Sequence, residues 1–348
     1  MKLFKSLLVA PATLGLLAPL SATANEVTIN DFNAAEEIAV TNSRVDGLEA
    51  RLNNFEAGSF SETTSASFGS TFYVGSVENS ATGEATTFSY DFGMDLSTSF
   101  TGEDSLDIAV IGGNASGTAV DDFMGGDGTS DALTLDGVSY TFPLGGATVI
   151  VGDGVGVDDL NTGACAYSAF TDLLSDCGTS NVGGSADSAF AIAYDFDNGF
   201  TLAGGAGGGT GTDGFFTEED ASTIGLEAAY TADTYGVSVA YTDDEATTYW
   251  SVQAMLAPEG YPSLSVGYET DDDDADAIFA GLTFAEVGPG SVSLGMASTD
   301  LSSDDYYQYE LAYSYPLNDG MTITPGVFIK ETSGDDETGV VVTTSFSF

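Results

Sequence analysis

The chain has 348 residues, 54 of them acidic, five basic and none histidine, for a formal charge of −49. That charge repels nucleic acid and anionic headgroups, whose capture needs Lys and Arg. The missing histidine removes Ser-His nucleophiles and most general bases near neutral pH, so the expectation is no enzyme and no catalytic residue.

Residues 1–24 read as an export signal. Lys2 and Lys5 are followed by the apolar stretch Leu7 to Leu20 and the small-residue site Ala22-Thr23-Ala24 before Asn25. Beyond it no apolar run approaches the ~18 residues of a membrane helix. A barrel is not excluded, because its strands hide their hydrophobicity in alternation. Once the signal is removed, the bases left are Arg44, Arg51 and Lys330.

Residues 25–57 form the helical segment. Ile38, Val45 and Leu52 recur every seven residues, with Thr41, Leu48 and Phe55 three positions later, which is an a/d seam. Arg44 and Arg51 then fall at g, with Glu49 and Glu56 at the following e positions, where they would pair between parallel chains. A short periplasmic coiled coil that holds an oligomer is expected, with a single helix lying on its own barrel as the alternative.

From Ser65 onward the period is two, and an all-β, transmembrane antiparallel barrel of about sixteen strands is predicted over residues 58–348. Phe88-Tyr90-Phe92-Met94-Leu96 alternates with Ser89-Asp91-Gly93-Asp95-Ser97, and Tyr307-Tyr309-Leu311-Tyr313-Tyr315 repeats the pattern. An apolar face opposite a polar one fits lipid outside and water inside. Phased by these faces, Asp91, Asp95, Asp107, Glu227 and Glu310 should line the pore. Lys330, the barrel's one base, should lie near the outer rim.

Connections alternate in length. Tight turns occur at Gly102-Glu103-Asp104, Leu144-Gly145-Gly146, Asp197-Asn198-Gly199 and Asn318-Asp319-Gly320, and longer connections at 113–130, 153–186 and 207–221. Short periplasmic turns and long external loops are the expected asymmetry. Cys165 and Cys177 lie within the longest connection and should form one loop-closing disulfide in an exported protein. No metal site is expected, since no histidine or second thiol pair completes tetrahedral coordination. Weak Ca²⁺ or Mg²⁺ binding by acidic loops such as Asp271-Asp272-Asp273-Asp274 and Asp243-Asp244-Glu245 is the extent of the cofactor expectation.

Phe346 and Phe348 end the chain on an aromatic alternation that resembles the signal read by the outer-membrane barrel-assembly machinery. The stretch from Tyr90-Asp91-Phe92 through Ser97-Thr98-Ser99-Phe100-Thr101-Gly102-Glu103-Asp104 resembles cyanobacterial outer-membrane porins, grouped with the carbohydrate-selective porin family. Tyr140-Thr141-Phe142-Pro143-Leu144-Gly145, Val157-Asp158-Asp159, Tyr194-Asp195-Phe196-Asp197-Asn198-Gly199-Phe200 and Ile323-Thr324-Pro325 extend the likeness, as does Arg44-Val45-Asp46-Gly47-Leu48-Glu49-Ala50. The resemblance implies a homotrimer in the cell outer membrane, with lipid and small solutes as partners, and the acidic composition adds inorganic cations. With only about twenty residues between Asn25 and Arg44, the S-layer-homology domain usual in that family is not expected here, and where its barrels carry arginines this chain carries Asp91, Asp95 and Asp107. The expected function is passive diffusion with a cation preference. The alternative is a structural barrel plugged by residues 153–186, with divalent ions bridging its acidic loops.

Overall fold

The computed structural model describes residues 64–80, 83–126, 128–179, 182, 188–209, 216–217, 221–272, 275–298 and 306–348. The signal segment, the coiled-coil positions and Asp273-Asp274 lie outside the described residues.

Among the described residues, sixteen strands follow one another in chain order. The first five are β1 (Thr64–Glu78), β2 (Thr87–Thr98), β3 (Ser105–Gly113), β4 (Thr134–Leu144) and β5 (Ala147–Asp153). Next come β6 (Ser188–Asp195), β7 (Phe200–Gly208), β8 (Ser222–Ala232), β9 (Tyr235–Asp243), β10 (Thr248–Leu256) and β11 (Ser263–Asp271). The last are β12 (Asp276–Val287), β13 (Gly290–Ser298), β14 (Tyr307–Asn318), β15 (Met321–Lys330) and β16 (Glu337–Ser347). Each pairs antiparallel with its chain neighbours, and β1 pairs with β16, so the sheet closes into a barrel. Closure matters physically, because an open edge would leave unpaired N–H and C=O groups in hydrocarbon at several kcal/mol each. Among the described residues no helix is long and apolar enough to cross a membrane.

The seam is sealed to its last residue. Phe68 and Phe348 exchange backbone hydrogen bonds at 2.9 and 3.0 Å, and their rings stack with centroids 5.6 Å apart. Phe346 meets Phe72 edge-on at 6.0 Å. The aromatic chain end thus closes β16 against β1.

Alternation decides which side chains face out. In β9, Val237 and Val239 are exposed, while Ser238, Ala240 and Thr242 between them are buried. Exposed Phe190, Leu226, Trp250, Val266, Leu294 and Val340 continue the apolar outer surface around the barrel. In water such a surface would drive aggregation, whereas in lipid it is the required coat. The turns at one end are tight, as at Gly145-Gly146, Asp319-Gly320 and the Gly288 turn, where φ is +65°. The connections β3–β4, β5–β6 and β7–β8 at the other end are long.

Candidate pore and its inserted loops

The inner wall has a covered part and an open part. Inward residues of β8 to β14, such as Glu227, Ser251, Ser265, Glu269 and Gln308, are buried. On β2 to β5 most equivalent positions are not, although Ser89 near the end of β2 is buried. Asp95 and Thr148 are exposed, and Ser97, Asp107, Ser139 and Thr141 are half-buried. Water in a lumen would leave both parts accessible, so something lies against the first.

That cover is the β5–β6 connection. After β5 the chain enters the barrel and runs along the inner wall as an extended segment whose alternate N–H groups point at the wall. Thr162 and Gly163 donate to the Glu227 carboxylate on β8 at 2.6 and 2.8 Å. Ala164 donates to Gln253 on β10, Ala166 to Ser265 on β11 and Ser168 to Thr283 on β12. Phe170 and Thr171 each donate at 2.8 Å to Glu310 on β14, which also accepts from the Tyr167 hydroxyl and the Thr171 hydroxyl. A buried N–H without an acceptor costs ~1–3 kcal/mol, so this row of wall side chains is what permits the loop to lie there.

The chain then doubles back through a short 3₁₀ segment, Asp172–Gly178. Asp176 and Cys177 take left-handed φ values of 49° and 53°, which reverses the chain direction. On the return pass Leu174 and Cys177 pack with Phe279 and Ala297 of the wall. Gln253 holds both passes at once. Its oxygen accepts from Ala164, and its amide donates to the Asp176 carbonyl and the Thr179 hydroxyl, both at 2.7 Å. Cys165 of the outward pass is disulfide-bonded to Cys177 of the return pass.

Wall glycines make the space. A Cβ on Gly267 would overlap the Cys177 carbonyl oxygen, and one on Gly326 would overlap the Phe170 ring. Between loop and wall a polar cavity of about 250 Å³ is lined by Asp158, Thr162, Asp176, Glu227, Ser251 and Gln253. Burial pushes the Asp158 carboxyl above the usual carboxylate range, and the Asp176 charge adds to the shift. Burial likewise pushes the Tyr167 hydroxyl well above the ordinary tyrosine value, reinforced by the Glu310 charge.

The five acids expected to line the pore divide into two groups. Asp91, Asp95 and Asp107 share the inner face of β2 and β3, since Asp95 pairs with Ala109, Asp107 with Ser97 and Asp91 with Gly113. Asp91 accepts from the Tyr73 hydroxyl at 2.5 Å, and Asp107 from Ser105 at 2.8 Å. Glu227 and Glu310 also face inward, but the loop covers them, and they serve as its anchors instead of open lumen charge. Sequence reading missed Gln253, Glu269 and Gln308. Their signal was a long polar side chain on an inner face otherwise made of Gly, Ala, Ser and Thr. Lys330 ends β15, pairs with inward Gln308, and places its Nζ 5.5 Å from the Phe123 ring. Among the described residues no group of acids or cysteines is arranged to hold a metal ion.

Comparison with known proteins agrees with this geometry. No protein-family profile matches the chain. The uncharacterized protein alr4550 of Nostoc sp. is 31% identical over 159 residues, which is 41% of this chain and 27% of that protein. The chain therefore matches about a quarter of that relative's length. Among solved structures, Pseudomonas putida OprB superposes with a TM-score of 0.62 at 13% identity, covering 82% of this chain and 94% of OprB. A mutant of Rh. blastica porin gives 0.59 at 15% identity, covering 82% of this chain and 100% of the porin. The barrel has the fold found in these bacterial outer-membrane porins.

Proposed function

We propose that this protein is an outer-membrane porin for passive diffusion of small solutes and inorganic ions, with a preference for cations. One observation carries the preference. The uncovered wall presents Asp95 and Asp107, and the inserted loop exposes Asp172 and Asp176, while Lys330 is the one base in residues 64–348. Facing carboxylates favour cations in a pore. Screening within ~10 Å at 0.1 M salt makes the preference moderate and not exclusive.

Export by residues 1–24, trimerisation through the seam at Ile38, Val45, Leu48, Leu52 and Phe55, and insertion by the barrel-assembly machinery through Phe346 and Phe348 belong to the same reading. The resemblance of the β2–β3 stretch to cyanobacterial porins supports it. The test is the reversal potential of the reconstituted protein under a KCl gradient. Wild type should favour potassium, and Asp95→Asn with Asp107→Asn should reduce that preference. A chloride-favouring wild type would refute it.

A second reading is a structural barrel with a closed pore, its acidic external loops binding Ca²⁺ or Mg²⁺ weakly. The depth to which residues 154–179 enter the barrel favours it. Absence of any conductance step in a planar bilayer would select it.

A further inference from the structure

We infer that residues 114–126 form a second inserted element that limits solute size, with Phe123 as the side chain that sets the limit; this rests on the porin reading. After Gly113 ends β3, the chain does not turn directly into β4. It leans back over β2 and β1 and places a four-residue helix, α1 (Asp121–Met124), inside the mouth. Val120 is wholly buried, and Ala119 and Phe123 nearly so. Their partners are inward-facing Val77, Phe328 and Val341 of β1, β15 and β16. The Phe123 ring centroid lies 4.3 Å from that of Phe328, and the Lys330 Nζ lies 5.5 Å from the Phe123 ring centroid.

Phe170, the most advanced residue of the first loop, belongs to the same cluster. The two loops therefore meet. One covers the wall from β8 round to β14, the other takes it from β15 to β1 and over Ser89 of β2, and most of β2 to β5 stays open. The cluster joins the inserted element to strands that already pair with one another, β1 with β16 and β15 with β16. Its effect is to keep α1 down across the lumen. The side of α1 toward the open wall is acidic. A Cβ on Gly126 would lie 2.8 Å from Asp121 Oδ1 and 3.4 Å from Asp91 Oδ1, so a lid carboxylate and a wall carboxylate flank one point. Both oxygens lie against Gly126 and Ala115, where the element meets the β2 wall, and the width of the remaining passage depends on how firmly Phe123 is seated.

The test uses full-length protein in planar bilayers and in liposomes swelling in a graded series of uncharged sugars. Phe123→Ala removes the ring, and Val120→Gly loosens the same contact without touching the wall. Retained β-sheet circular dichroism identifies folded variants, and either variant suffices. A unit conductance higher by on the order of twofold is expected because pore width sets throughput, and larger sugars should enter. Unchanged conductance and an unchanged sugar limit, beside a conducting wild type, would overturn the lid. A silent wild type would instead overturn the porin reading beneath it.

Discussion

Glu227 on β8 and Glu310 on β14 hold the two ends of one extended segment, each carboxylate accepting two consecutive backbone N–H groups, from Thr162 and Gly163 in one case and Phe170 and Thr171 in the other. The span between them is what keeps the loop in the barrel. A glutamine at either site would offer one acceptor and turn an NH₂ toward a donor.

Glu310→Gln should therefore release the far end of the loop. Hydrogen bonds to a charged acceptor are worth ~1.5–3 kcal/mol each, so docking weakens by roughly 2–4 kcal/mol while strand pairing is untouched. The expected record is a larger and noisier unit conductance, with faster proteolysis inside residues 154–187. A quiet channel with wild-type conductance and protease resistance would show that the carboxylate is not the anchor.

Gly267→Val should displace the return pass alone. The new side chain would overlap the Cys177 carbonyl, and overpacking of this kind costs ~1–3 kcal/mol. Amide exchange should speed up at 174–179 and stay slow in β10 and β11. Equal protection in mutant and wild type would mean that the wall tolerates a side chain there.

Reduction of the Cys165–Cys177 bond is expected to loosen the hairpin without opening the barrel. A closed loop of twelve residues is stabilised by roughly 3 kcal/mol in the chain-entropy view, and both sulfurs lie on the inserted segment. Current fluctuations should rise after reductant, while migration as a heat-resistant folded species persists. Loss of the folded species on reduction alone would contradict this.

The β2–β3 turn supplies a pH dependence. Asp104 accepts from the Tyr140 hydroxyl at 2.6 Å, from the Thr101 amide at 2.8 Å, and from the Thr101 and Ser99 hydroxyls. These bonds, Tyr140 first, hold its carboxyl well below the ordinary aspartate range. A depressed folded-state value means that the contribution is present above the unfolded value of about 3.9 and is lost as the pH falls toward the folded one. Amide protection at 99–104 should decline below about pH 4 in wild type, and Asp104→Asn should flatten that decline. An identical pH profile in the variant would remove Asp104 as its cause.

Strand number, the tight turns and the outward aromatic faces were legible in the sequence because lipid imposes a period of two on every strand, so that a run such as Phe88-Tyr90-Phe92 declares its own side. The same period showed that Asp95, Asp107, Glu227 and Glu310 all point inward. It could not say which of them meet water. That depended on where a segment 64 residues from Glu227 and 139 from Glu310 in the chain would lie, and on whether glycines such as Gly267 and Gly326 left room for it. Local alternation fixes the direction of a side chain. Only tertiary packing decides whether the space it points into is filled by solvent, as beside Asp95, or by the backbone of an inserted loop whose N–H groups must find acceptors, as beside Glu310.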